Sequence, residues 1–152
     1  MPKALKLYAT EVDDMDILSA AVERLITSPG EMSFLKGSRA FLLVGSRFKW
    51  EDTNTEPDTA ANWHRIRSGI YIGDVLNVRT RGISQETPTE ALELLNLSTQ
   101  RGTDAAAEIC LNFAGGGTIC LDTECINVTL TDTGEAWHTE HKPVHADDAG
   151  SK

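Results

Sequence analysis

Residues 63–81 read WHRIRSGIYIGDVLNVRTR, and their alternation decides the fold class. Ile66, Ser68, Ile70, Ile72, Asp74, Leu76, Val78 and Thr80 keep one parity, while Arg65, Arg67, Tyr71, Asn77, Arg79 and Arg81 keep the other. Period two is the signature of a strand with one buried and one wet face. A hairpin turning at Gly73-Asp74 would set Ile70 opposite Asn77 and mix the faces. Continuous parity therefore predicts one long strand bent at Gly73. Its outer face then carries an arginine–tyrosine–arginine stripe.

Upstream, residues 40–50 form a second long strand. Leu42, Val44, Phe48 and Trp50 share one side; Phe41 and Leu43, then Arg47 and Lys49, share the other. Its first half is apolar on both sides and so central, and its second half has a wet face. Residues 32–36 and 5–9 read as short strands. Between them, residues 13–27 predict a helix, capped by Thr10 or Asp13. Ile17, Ala21, Leu25 and Leu18, Val22, Ile26 make two adjacent rows, a stripe that a sheet must cover.

Downstream, residues 51–61 are a polar loop and 82–89 a turn. Residues 91–99 suit a strand through Leu92 and Leu94, or a short helix through Ala91, Leu92 and Leu95; the strand is preferred. Residues 106–114 and 118–123 predict a hairpin around Gly115-Gly116-Gly117. Ile109, Leu111 and Phe113 must share a face with Ile119 and Leu121, so the loop must be odd in length. Three glycines meet that condition, setting Phe113 opposite Ile119 and Leu111 opposite Leu121. Parity flips at Glu124-Cys125, where a bulge or a new strand begins. From residue 131 the chain is polar and reads as a draped tail, with one domain over 1–137 and a polar tail over 138–152.

The chain has 152 residues, 40% of them apolar, enough for one core. No apolar run approaches the roughly 20 residues that cross a bilayer, and acids from Glu11 onward cut short any signal-peptide core. The expectation is a cytoplasmic protein with no membrane partner. Net charge is −9, yet residues 62–81 hold four arginines against one acid, Asp74. Any anion-binding role must lie there. Three cysteines, an odd number, argue against a disulfide framework.

DDMDILSAA (residues 13–21), AFLLVGSRFKWE (40–51) and FAGGGTICLDTECI (113–126) together resemble the uncharacterised bacterial domain-of-unknown-function family 2948. Gly134-Glu135-Ala136-Trp137 and the closing His-Lys-Pro-Val-His segment fit its ending. The resemblance implies a compact bacterial domain with no assigned activity.

Candidate chemistry is sparse. Arg65 and Arg67, and Arg79 and Arg81, sit two apart, about 7 Å on a strand, a spacing suited to phosphates or carboxylates. Tyr71 can stack on a base, and Arg47 and Lys49 can join if the strands are neighbours. The competing reading is a solvated strand face. His138, His141 and His145, with Glu140, Asp147 and Asp148, have metal-ligand types but no scaffold, so no metal site is assigned. The cysteine spacing is not a zinc pattern. Gly115–Gly117 lead into a strand, which suits a turn rather than a phosphate loop. His64 with Glu51 or Asp52 is the one conceivable acid–base pair.

Phe41, Leu43, Trp50, Trp63 and Trp137 exceed what one sheet face and one helix obviously cover, which suggests an interface. The reading is α+β: a bent, mostly antiparallel sheet of six to eight strands, open or a partly closed barrel, with one N-terminal helix on it. First-ranked is a non-catalytic interaction or structural domain that pairs with itself, needing no cofactor. An acidic or phosphate-bearing partner on the Arg–Tyr face is second, and a small enzyme third.

Overall fold

A computed structural model describes residues 5–54 and 59–144. Ten strands and one α-helix follow in the order β1 (Lys6–Ala9), α1 (Val12–Ala21), β2 (Ile26–Thr27), β3 (Met32–Leu35), β4 (Ala40–Phe48), β5 (His64–Ile72), β6 (Val75–Arg81), β7 (Leu92–Arg101), β8 (Ala107–Phe113), β9 (Thr118–Thr123) and β10 (Val128–His138). The class is α+β, with every strand pair antiparallel. There are more strands than the six to eight expected, and the sheet is not closed into a barrel. It runs β1-β10-β5-β4-β2-β7-β8-β9-β6, with β3 beside β4. β1 and β6 are its two ends.

Two half-sheets are joined through the two-residue β2. Ile26 pairs with Ser46 on β4 and with Glu93 on β7. Both halves and the helix feed one core: Phe41, Leu43, Ile70, Ile72, Val128 and Leu130 from one half, Leu94, Ile109, Leu111 and Leu121 from the other, and Met15 and Leu18 from α1. Burial of such side chains is the main favourable term in folding.

The helix is shorter than its periodicity predicts. Asp14 accepts from the backbone N–H groups of Thr10 and Glu11 and fixes the start. Arg24 takes a left-handed conformation (φ 68°), and its N–H donates to Leu94 O at 2.7 Å. The β-branched Ile26 and Thr27 then find strand partners, so tertiary pairing overrides the helical period. Ile17, assigned to the buried stripe, is 62% exposed.

Residues 63–81 form no hairpin, but neither do they form one bent strand. β5 lies between β4 and β10, and β6 pairs with β9 in the other half. Asp74, left-handed at φ 57°, is the crossing point. Parity slips there: Val75 is buried and Leu76 exposed, and an irregularity between Val75 and Asn77 restores the phase at Val78.

Residues 92–101 are a strand, as preferred. The β8–β9 hairpin keeps the expected faces but closes two residues earlier. Leu111 faces Ile119 and Cys110 faces Cys120, because Phe113 N–H donates to Gly117 O across a five-residue turn. Gly115 and Gly116, at φ 88° and 95°, supply the left-handed positions. A new strand follows residues 124–125, and it continues through the supposed tail: β10 reaches His138 and runs between β1 and β5. No helix among the described residues is long and apolar enough to cross a membrane.

Candidate interaction face

The arginine stripe is divided between the halves. Arg65, Arg67 and Tyr71 lie on the outward side of β5; Arg79 and Arg81 lie on the outward side of β6. Arg67 already holds Glu31 at 2.7 Å. Arg79 holds Glu108, and Asp122 at 2.8 Å. Arg65 is partly buried and donates to Ser46 O at 3.1 Å. Arg81 is exposed and makes no ion pair among the described residues.

Arg47 does not join this face. It is fully buried, and Lys49 extends from the same region to within 3.7 Å of Asp52. The expected wet face of late β4 is instead a closed ionic cluster. Arg47 Nε donates to Asp132 Oδ1 and Nη2 to Asp132 Oδ2, both at 2.7 Å. Its Nη1 and Nη2 also reach Glu51 Oε1 and Oε2 at 2.9 and 2.6 Å. Ser68 Oγ donates to Asp132 Oδ1 at 2.7 Å. Burial alone would lower the guanidinium pKa, but the bonds to Asp132 and Glu51 outweigh it and raise it. Burial would likewise raise both carboxyls, yet Arg47 holds each below its ordinary value. The polar composition from residue 131 onward hides Asp132. Its signal was parity, since it continues the buried register of Val128 and Leu130.

The outward side of the β1–β10–β5–β4 half carries a different set. The register aligns Tyr8, Thr129, Tyr71, Leu42 and Ser33 across five strands. Lys6, Thr131, Gly69 and Val44 form the next row. Thr133, Arg67 and Ser46 follow, and Trp137 stands opposite Arg65. Directly paired residues share a face, so Tyr8, Tyr71 and Trp137, exposed by 62%, 40% and 45%, look outward together. Of the surplus apolar residues, Trp137 belongs here, and the half-buried Trp63 lies next to it, its carbonyl accepting from Thr139 N–H. Phe41, Leu43 and Trp50 are buried, and Trp50 Nε1 donates to Glu23 O. Tyr8 was missed because β1 reaches Tyr71 only through β10, a neighbour distant in sequence.

The remaining candidates are dispersed. A cleft of about 310 Å3 opens among Met32, Phe34, Phe41, Val78, Ile83 and Ile119, and no residue of its lining is ionisable. His64 Nδ1 lies 3.3 Å from Asp52 Oδ2, the acid–base pair conceived above, and its ring meets His138. Among the described residues no three His, Cys, Asp or Glu group as metal ligands; His145, Asp147 and Asp148 lie outside them. Cys110 and Cys120 form a disulfide, contrary to expectation, because the register sets them face to face with Cα atoms 4.0 Å apart. Cys125 is free, its thiol pushed up by burial and by the neighbouring Asp74 carboxylate.

A family model described as a protein of unknown function, DUF2948, matches residues 5–145. No curated protein and no solved structure matches significantly.

Proposed function

We infer, for a chain that belongs to the DUF2948 family and takes no assigned activity from it, that its role is to bind, and that the outward face of β1, β10, β5 and β4 pairs with the same face of a second copy. One observation carries this: three exposed aromatics, Tyr8, Tyr71 and Trp137, share one sheet face. Tyr, Trp and Arg dominate binding energy at interfaces, where charge is depleted at the centre and kept at the rim. The middle of this face is uncharged, with Thr129, Thr131, Gly69, Val44 and Leu42. Lys6, Arg67 and Glu31 give it charges of both signs, which suits self-complementarity.

Sedimentation at micromolar concentrations is expected to give a dimer for the wild type and a monomer for Tyr8→Ser combined with Tyr71→Ser. Both tyrosines are exposed, so the melting of the monomer should change by only about 0.5 kcal/mol per site. A monomeric wild type would refute the pairing.

An acidic or phosphate-bearing partner is the second reading. It is supported by Arg81, exposed without an ion pair among the described residues, and weakened by the carboxylates already on Arg67 and Arg79. Oligonucleotide binding that falls steeply between low and moderate salt would favour it.

A further inference from the structure

We propose that Cys110–Cys120 is a thiol–disulfide exchange site that takes an anionic small thiol of the glutathione class. The bond lies on the outward face of the second half-sheet, whereas the tyrosines lie on β1 and β5 of the first. The register sets Ser98, Cys110, Cys120 and Arg79 in one row across β7, β8, β9 and β6. Both cysteines are only half-buried. A shallow depression opens on each side: Cys120 lies with Arg79, Arg81 and Thr118, and Cys110 with Ser98, Gln100 and Glu108. The two sulfurs are therefore approachable from different directions.

The fold has little need of this bond. It spans ten residues within a hairpin whose ladder continues on both sides, from Ala107–Thr123 to Asn112–Thr118. The core under it, Ile109, Leu111, Ile119 and Leu121, packs on the opposite face. Opening it leaves two small side chains on a wet surface.

Electrostatics selects the sulfur. Arg79 is compensated by Glu108 and Asp122, whereas Arg81 is free of ion pairs among the described residues. Glu108 and Asp122 face each other in the next row and are both engaged by Arg79, but the depression at Cys110 holds no cation, whereas the one at Cys120 holds Arg81 as well as Arg79. An anionic thiolate is drawn to the Arg81 side and attacks Cys120 Sγ. A bond forms between the incoming sulfur and Cys120, the Cys110–Cys120 bond breaks, and Cys110 leaves as a thiolate that takes a proton from water. A second thiolate attacks the mixed disulfide and releases Cys120. In sum, two small thiols are oxidised to their disulfide and the protein disulfide is reduced to two thiols.

The test uses the full chain without denaturant. Incubation with reduced glutathione, acid quenching, alkylation and mass spectrometry should show Cys110 and Cys120 labelled together while circular dichroism stays native. Cys110→Ser, treated with oxidised glutathione, should accumulate the adduct on Cys120, several-fold faster than Cys120→Ser accumulates it on Cys110. Arg81→Ala should erase that difference. The half-buried Cys125 is the internal control. Labelling of Cys110 and Cys120 only after unfolding, or equal adduct rates in the two serine variants, would overturn the proposal.

Discussion

Arg47→Met is expected to destabilise the protein by about 3–5 kcal/mol, as removing one member of a buried ion pair does. For a chain of this size that lowers the melting temperature by roughly 6–20 °C. The reason lies with what remains. Asp132 is 4% exposed on β10, and Arg47 supplies two of its three side-chain hydrogen bonds. Methionine fills the space of the aliphatic stem but offers no donor. The carboxylate then keeps only the Ser68 hydroxyl, in surroundings that penalise an unpaired charge. Arg47→Met combined with Asp132→Leu removes both charges and should recover most of the loss, because apolar replacement of a whole buried pair is often neutral. Ser68 keeps a weaker acceptor in Ile66 O at 3.4 Å. Thermal melting of the wild type and the two variants checks this. A double variant no more stable than the single one would show that the cluster acts through packing rather than charge.

The same change should alter the dependence on acid. In the wild type the Asp132 and Glu51 carboxyls are held below their ordinary values by Arg47, against the opposing effect of burial. Groups depressed in the folded state contribute stability that is present above their unfolded pKa, near 4, and lost as pH falls through the folded value. The wild type should therefore weaken in acid. Without Arg47, burial dominates at Asp132 and its folded pKa rises above the unfolded one. Its contribution is then complete at low pH and lost as pH rises. The gap in stability between the two proteins should be widest near neutrality and should shrink towards pH 4. Urea titrations at several pH values measure this, and a constant gap would remove Asp132 from the explanation.

What could be read in the sequence was whatever two neighbouring residues decide. Alternation located β4, β5, β8 and β9 and gave the buried faces of β5, β8 and β9, but on β4 it set the wet face on the Arg47 side, which is buried. Pair parity required an odd hairpin loop but did not separate three residues from five, and the ladder closes on five. Non-local choices were not legible. Ile26 continues a helical row in the sequence, yet its backbone is claimed by Ser46 and Glu93. Period two is the same for one bent strand and for two strands end to end, so the change of partner at Asp74 left no trace. Arg47 reads as wet because arginine usually is, and its partner Asp132 stands 85 residues away. The aromatic face was half visible: Tyr71 stands out in the sequence, but Tyr8 joins it only through the order β1-β10-β5.

Gly45→Val should have an effect comparable with that of Arg47→Met, by a mechanism without charge. Gly45 sits on the inward side of β4 opposite Ser68. A Cβ there would lie 2.5 Å from Ile26 O and 2.6 Å from Leu25 Cδ2. The leucine tip can rotate, but the carbonyl belongs to β2 and can retreat only if β2 moves. β2 is the link between the half-sheets, held by Ser46 on one side and by Glu93 and Leu92 on the other. Displacing it costs those hydrogen bonds and the packing of the fully buried Leu25. Overpacking alone costs about 1–3 kcal/mol, which is the expectation for Gly45→Ala; the branched side chain of valine should exceed it. Gly69→Ala, compared at concentrations low enough to keep the chain monomeric, is the matched control, because Gly69 faces outward on β5 opposite Val44 and a Cβ there meets nothing within 4 Å of its own chain. Alanine in a strand interior is intrinsically better than glycine by about 0.5–1 kcal/mol, so that variant should be neutral or slightly stabilised. Hydrogen exchange distinguishes the cause: the amides of Ile26 and Leu94, at the junction, should lose protection in Gly45→Ala well before those of β8 and β9. Uniform loss across all strands would mean that the junction is not what the extra carbon disturbs.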